Sequence, residues 1–254
     1  MADDQYAKFD YGRLINWDDR LKREWPFFEE LLGSAPSRRI LDLGSGTGEH
    51  ARFLGAHGFH VTGIEMSPAM LEKSRSTPAE NVRFIEGDMR ALPDLVDQGY
   101  GGAICVGNVL PHLTDADDLR KLASGLRRVL TRGAPFLLQI LNYDRIEIRK
   151  EGSLPISFLA DPEDPKATIV FLRTMELQAN GRAIFMPSTL RQRSDREPPL
   201  ELLASRRVEI RTWRRREIED ALRANGFDSF EVFGSYAKAP FDPAESRDLI
   251  LVAR

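Results

Sequence analysis

A single cysteine, Cys105, stands among 254 residues. No disulfide can form within the chain, and a reducing compartment, the cytoplasm, is the expected setting. Histidine is nearly as scarce: His50, His57, His60 and His112 show no metal-ligand spacing, so no metal is expected. Neither sign of charge dominates. The 36 basic and 39 acidic residues leave a formal net charge of −3, which gives no global pull toward nucleic acid or a membrane surface. No apolar run approaches the roughly 18 residues of a membrane span. The opening Met1-Ala2-Asp3-Asp4-Gln5 is acidic and lacks the apolar stretch of a signal peptide. Repeats and low-complexity tracts are absent. What remains is a chain long enough to bury a full core in one domain, with room for an insertion.

The most informative stretch runs Arg38-Arg39-Ile40-Leu41-Asp42-Leu43-Gly44-Ser45-Gly46-Thr47-Gly48-Glu49-His50. An apolar β-like run ends in glycines spaced G-x-G-x-G and passes into a helix-compatible segment. Such a strand-to-helix turn is expected to leave backbone N–H groups free, with bare glycines letting a ligand lie against them. The next β-like run ends at Glu65, about 20 residues past the first glycine, where a carboxylate can accept both hydroxyl hydrogens of a ribose. A dinucleotide fingerprint would place a third glycine where Glu49 stands, and Glu49 and Asp42 would repel a pyrophosphate. A ligand bearing an ammonium and a sulfonium gains from the same carboxylates. S-adenosylmethionine carries both, so the residues favour it over a dinucleotide. Asn81-Val82-Arg83-Phe84-Ile85-Glu86-Gly87-Asp88-Met89 then reads as a third strand. Asp88 can accept from an adenine amino group, and Met89 offers its backbone N–H and a thioether beside the ring.

Strands over 38–43, 59–64, 82–85, 103–106 and 136–141 alternate with helices from Glu49, after Ser67 and over 116–130. This alternation predicts an α/β fold with a doubly wound, Rossmann-like sheet. From Arg149 the period changes to two. Residues 168–177, the turn Asn180-Gly181 and residues 182–193 read as a hairpin, bent or edge-like at Pro187. Residues 202–210 offer one further strand. The expected organisation is N-terminal lid helices over 1–37, a core over 38–148 and 212–254, and an inserted antiparallel β cap over 149–211. Phe230–Phe233 and Asp248–Val252 are expected to close a seven-stranded sheet as a hairpin.

In their order these pieces resemble a class I S-adenosylmethionine-dependent methyltransferase, most similar to the glycine/sarcosine N-methyltransferase-like group. The glycine loop, Cys105-Val106-Gly107-Asn108-Val109-Leu110-Pro111-His112-Leu113 and Asn142-Tyr143-Asp144 carry the likeness. The resemblance implies the following roles. Gly44 and Gly46 would lie against the methionine part of S-adenosylmethionine, Glu65 would hold the ribose, and Asp88, Met89 and the backbone of Val106 would contact the rest. Tyr6, Tyr11 and Arg20 would close over the methionine moiety, Arg20 pairing its carboxylate, with Arg23 close by and a solvated amphipathic helix as the plain alternative. Asn108 would contact the acceptor and His112 border the cofactor. His112 and Asp144 are the bases that position allows, and Tyr143 and Arg145 are substrate-side candidates. Asn108 and His112 can equally be a satisfied polar loop pair.

One departure from the group bears on the acceptor. Glycine N-methyltransferases carry an arginine directly before Asn-Tyr-Asp, where this chain has Leu141. A leucine cannot pair a buried carboxylate, so a less polar or larger amine, or a hydroxyl compound, is expected instead of glycine unless Arg145 or a cap arginine substitutes. The expected partner is a small molecule. From Arg191 to Arg216 nine arginines face four acidic residues, an excess that could read anions, including RNA, or simply be a solvated strand face. Trp213 is nearly the sole aromatic there, which speaks against base stacking. An RNA or protein methyltransferase and a non-catalytic S-adenosylmethionine-binding protein are the competing readings.

Overall fold

The computed structural model describes residues 14–254. Its strands are β1 (Arg39–Leu43), β2 (His60–Glu65), β3 (Val82–Glu86), β4 (Gly102–Cys105), β5 (Phe136–Leu141), β6 (Ser157–Ala160), β7 (Thr168–Gln178), β8 (Arg182–Gln192), β9 (Leu200–Ser205), β10 (Val208–Arg211), β11 (Phe230–Phe233) and β12 (Asp248–Ala253). The main sheet has seven strands in the order β11-β12-β5-β4-β1-β2-β3. β1 to β5 are parallel, whereas β12 runs antiparallel to both of its neighbours, β5 and β11. The expected closing hairpin therefore lies inside the sheet edge, with β12 wedged between β5 and β11. The strand order reverses between β1 and β4, the switch point where open α/β sheets bind ligands.

Both faces of the central strands are covered, which explains their nearly unbroken apolar sequences. The helices are α1 (Trp17–Gly33), α2 (Glu49–Ala56), α3 (Pro68–Ser76), α4 (Leu92–Leu95), α5 (Ala116–Val129), α6 (Tyr143–Ile148) and α7 (Arg215–Arg223). Leu41, Leu43, Cys105 and Leu138 point to one face, against Leu119, Leu122 and Leu126 of α5 and Ile218 and Leu222 of α7. Ile40, Ile104 and Leu137 point to the other, against Phe28, Leu31 and Leu32 of α1 and Leu54 of α2. Period-two alternation along β1 thus sends Asp42 to the side of Ile40, toward α1 and α2. α3 starts as its sequence suggests: the Ser67 hydroxyl accepts from the Met70 N–H at 3.3 Å, and Pro68 opens the first turn. Residues 1–37 read as lid helices, but α1 is half core helix. Its Phe27, Phe28, Leu31 and Leu32 are buried under the sheet, and Trp17, Arg20 and Glu24 reach the rim.

β6 to β10 form a second, antiparallel sheet, ordered β10-β8-β7-β6 with β9 also on β8. Gly181, at φ +73, makes the β7–β8 turn. The one strand expected over 202–210 is two. β9 pairs with the far half of β8 and β10 with the near half, on the same edge. Pro187 explains the break. Its carbonyl accepts from the Arg206 N–H at 3.1 Å, so its polar edge faces the β9–β10 junction. The N–H that proline lacks falls where no strand needs it. β6, short and on the outer edge, gave no period-two signal of its own.

Candidate active site

The glycine loop leaves β1 at the switch point, but its N–H groups are not free. Gly44 and Ser45 both donate to the Ile64 carbonyl, at 2.8 and 3.1 Å, and Gly48 donates to Ser45 O at 2.9 Å. Gly46 N–H donates to Glu65 Oε2 at 2.8 Å. The other oxygen, Oε1, accepts from Met66 and Ser67 N–H at 2.9 and 2.8 Å. The expectation of free loop donors is therefore corrected: with these four N–H groups spent on the protein, the loop is a braced turn and not an anion nest. Gly44 sits at φ +67, and a Cβ there would stand 2.3 Å from Val109 Cγ1. At Gly46, φ +56, a Cβ would meet nothing within 4 Å and would project into open cavity.

Carboxylates surround this turn. Asp42 is buried, and one oxygen, Oδ2, has no hydrogen-bond partner. Burial pushes its pKa to about 6, and the charges of Glu65 and Glu49 add to the rise; His50 and the Ala51 N–H act the other way. Glu49 accepts from the Thr47 hydroxyl at 2.5 Å and pairs with Arg52. On the α1 side, Glu24 joins Arg20 Nε (2.8 Å) to His50 Nε2 (2.7 Å). Burial alone would raise the Glu24 pKa, but the bond and charge of His50, with Arg20, take it below the ordinary value. Arg20 also stacks on Trp17 and comes within 4 Å of a Cβ built on Gly107. Asp88 is less available than its sequence suggests. Its Oδ1 accepts from the Arg90 N–H (2.9 Å) and Oδ2 from the Arg90 guanidinium (2.8 Å to Nε), leaving only second lone pairs for a ligand.

These groups line one cavity of about 1420 Å³ that runs from the glycine loop to the inner face of the second sheet. Gly44, Gly46, Glu65, Asp88, Met89, Val106, Arg20, Asn108 and His112 all stand on its wall. Tyr6 and Tyr11 lie outside the described residues. The roof comes from Leu154, Phe171, Phe185, Val208 and Ile210, with Arg173, Arg206 and Arg207 among them. His112 is exposed to the cavity, and desolvation by the surrounding wall lowers its pKa, which favours the neutral imidazole at pH 7. Asn108 adopts φ +66, and its Oδ1 accepts from Leu141 N–H (3.0 Å) and the Tyr143 hydroxyl (3.1 Å).

Three sequence candidates do not reach the cavity wall. Asn142 caps α6 and its Nδ2 donates to Ser246 O at 2.8 Å, which turns the chain away from the rim directly after Leu141. Tyr143 is consequently buried beneath Asn108, Asp144 accepts from Arg214 at 3.0 Å, and Arg145 pairs with Glu151 at 2.5 Å. Asp144 is thus withdrawn as a base, and Tyr143 and Arg145 as substrate contacts. Gln139, Asp248 and Tyr236, which line the wall, were missed. Gln139 accepts from Gly107 N–H at 2.7 Å and donates to Asp248 Oδ1 at 2.8 Å, clasping the β4 loop to β12. A lone amide inside the apolar strand Phe136–Leu141 was the available signal.

Five of the nine arginines from Arg191 to Arg216 are ion-paired within the protein. Arg191 pairs with Asp161 and Glu163, Arg193 with Asp164 and Asp195, Arg211 with Glu217, Arg214 with Asp144 and Glu147, and Arg215 with Glu219. Among the described residues no group of three or more His, Cys, Asp or Glu side chains could hold a metal ion.

The strand order with one reversed strand, and a glycine loop beside an acidic β2 end, define the class I S-adenosylmethionine-dependent methyltransferase fold. Comparison with known proteins agrees. Residues 40–133 match the family model of a methyltransferase domain. The chain is 32% identical over 139 residues to the glycine/sarcosine N-methyltransferase of Parasynechococcus marenigrum, covering 54% of this chain and 49% of that protein. It spans about half the length of the curated relatives it matches. Nearly the whole fold superimposes on the CcbJ methyltransferase from Streptomyces caelestis, with a TM-score of 0.74, 23% identity and coverage of 99% and 96%. S-adenosylmethionine-bound CalS10, an amino pentose methyltransferase from Micromonospora echinaspora, gives 0.71, 21%, and 96% and 93%. Residues 40–133 thus carry a match to a methyltransferase domain, and the fold is the one class I S-adenosylmethionine-dependent methyltransferases share.

Proposed function

We propose that this protein methylates a nitrogen or oxygen of a small-molecule acceptor held between the sheet rim and the cap. The observation that carries the reading is a single cavity with an anionic rim at one end and an apolar, arginine-bearing roof at the other. Its size exceeds the 300–1,000 Å³ of ordinary ligand pockets, which suits a donor and an acceptor together. The rim fits S-adenosylmethionine: the partnerless Oδ2 of Asp42 awaits a cation, Gly46 leaves open space, and the loop spends four of its N–H groups on the protein, leaving few for a pyrophosphate. When bound, that donor supplies a methyl group already activated by positive sulfur.

The chain's residues would then bind, align and exclude water. Arg20 would take the carboxylate, Asp42 the ammonium, Glu65 the ribose hydroxyls, and Met89 and Val106 would border the adenosine. Alignment of this kind supplies up to about 7–11 kcal/mol. Phe171, Phe185, Val208 and Ile210 close the acceptor end. A neutral amine needs no base; a hydroxyl acceptor would give its proton to the neutral imidazole of His112. Leu141 gives glycine's carboxylate no partner beside β5, which favours a larger or less polar amine, or a hydroxyl compound, unless a roof arginine (Arg173, Arg206 or Arg207) takes that carboxylate. The ion-paired arginines of the cap favour this reading over an RNA substrate. A reducing, cytoplasmic location suits the buried Cys105 thiol.

Methyl-labelled S-adenosylmethionine incubated with fractionated cell extract tests the proposal. Label is expected in a small-molecule fraction, with no salt-sensitive polynucleotide binding. Tight cofactor binding without product from any fraction would leave a binding protein only. Calorimetry with S-adenosylhomocysteine tests the donor end: Glu65→Ala should weaken binding about 30- to 150-fold, and preference for a nicotinamide dinucleotide would overturn it.

A further inference from the structure

The roof gathers arginines at one spot, and strand register explains how. Arg173 of β7 stands opposite Pro187 of β8. The Pro187 carbonyl accepts from the Arg206 N–H at 3.1 Å, and Val208, one step past Arg207, is in register with Phe185. Arg173, Arg206 and Arg207 are thereby carried to neighbouring points of the cavity wall. Arg173 is held further: its Nη2 donates to the Pro155 carbonyl at 2.9 Å, and its guanidinium lies 5.0 Å from the centre of the Phe171 ring. Like charges gathered on one stretch of wall repel, a cost that a bound anion removes. The carboxylates lining this end of the cavity are taken up by other arginines. Asp115 and Glu209 both pair with Arg182, and Asp118 pairs with Arg90. Arg207 is exposed and, among the described residues, forms no ion pair. The opposite end of the cavity carries the acidic side chains Asp42, Glu49 and Glu65 around the glycine loop. The cavity is therefore polarised, negative at the rim and positive under the cap.

Given the methyl transfer proposed above, we propose that the acceptor carries an acidic group, a carboxylate or a phosphate, on the end away from the atom that is methylated, and that Arg207 receives it beside Arg173 and Arg206. The planar fork of a guanidinium matches either anion with two parallel hydrogen bonds. Arg207 has no protein partner to give up when it turns to a guest. The donor's positive sulfur belongs at the acidic rim, so the field along the cavity sets such an acceptor head to tail, its nucleophile toward the methyl group and its acid toward the roof. A neutral acceptor gains no orientation from these charges. The anion site is thus moved from the end of β5, where Leu141 stands, to the β9–β10 junction of the cap.

A small-molecule filtrate of cell extract, split beforehand on an anion exchanger into retained and unretained compounds, is incubated with the full chain and methyl-labelled S-adenosylmethionine. Labelled product is expected from the retained, acidic compounds. Treating these with phosphatase and phosphodiesterase separates the two sources of negative charge: lost acceptor activity assigns a phosphate, and surviving activity a carboxylate. With the retained compounds as substrate, Arg207→Gln should raise KM about 10- to 100-fold and leave kcat within about threefold, with S-adenosylhomocysteine affinity unchanged. Arg196→Gln, an equal loss of charge in the β8–β9 loop and off the cavity wall, should alter neither constant. Product from unretained compounds only, or a KM that Arg207→Gln leaves unchanged, overturns the acidic acceptor while methyl transfer stands. No product from either set of compounds sinks both.

Discussion

Replacing Asp42 with asparagine separates stability from ligand binding at this rim. The folded carboxyl titrates at about 6 against an ordinary 3.8, so its neutral form is favoured in the fold. The sign follows directly: its stabilising contribution is full below pH 3.8 and is lost as pH climbs through 6. A shift of that size sets about 3 kcal/mol against the ionised carboxylate at pH 8. Asparagine keeps an acceptor for the Ala51 N–H, but its amide nitrogen replaces the partnerless Oδ2 and itself lacks a partner, a cost of about 1–2 kcal/mol. The ligand-free variant should therefore be more stable than wild type at pH 8 by about 1–2 kcal/mol, a rise of roughly 2–6 °C in Tm. The gap should vanish near about pH 5 and reverse below it, where only the amide's cost remains. Affinity for S-adenosylhomocysteine at pH 8 should move the other way, falling about 10- to 100-fold as the charge facing the ammonium disappears. Thermal unfolding from pH 4 to 8 and calorimetry at pH 8 measure both. A variant less stable at pH 8, or a gap that does not change with pH, would refute the burial argument.

Gly44→Ala places a Cβ 2.3 Å from Val109 at φ +67 and should lower stability by about 2–4 kcal/mol, seen in urea unfolding. Because desolvation holds the His112 pKa below 6.5, product formation with a hydroxyl acceptor should rise with pH through an inflection below that value and then level off; His112→Gln should remove the inflection, and its persistence would assign it elsewhere. Leu141→Arg restores a cation on the cavity wall, so labelled transfer to glycine or sarcosine should increase at least about 10-fold, with no increase counting against the acceptor argument.

The parallel core was legible because most of its strands end in a glycine or acidic stop after an apolar run, as at Leu43-Gly44 and Ile64-Glu65. The cap hairpin was equally plain at Asn180-Gly181. What could not be read was anything decided by a distant partner. Glu65 looks in sequence like a bare ribose acceptor, yet it also braces Gly46 across the loop. Asn142-Tyr143-Asp144 looks like a substrate motif, but Asn142 is bound to the turn near Ser246, roughly a hundred residues on, and that contact bends Tyr143 and Asp144 away. Gln139 and Asp248 meet only because β12 inserts beside β5, a pairing no local pattern encodes. The break between β9 and β10 depends in turn on a proline in the neighbouring strand.

Trp213 is buried where α7 begins, and its indole N–H donates to the Leu113 carbonyl at 3.0 Å. That bond rivets the exit of the cap to the turn carrying His112. Roof and turn are joined by that bond, which ties the walls of the proposed acceptor chamber to one another. Side chains on the roof strands can then be exchanged to suit a different guest while the adenosyl end keeps its shape, a division of labour through which one scaffold could serve many metabolites.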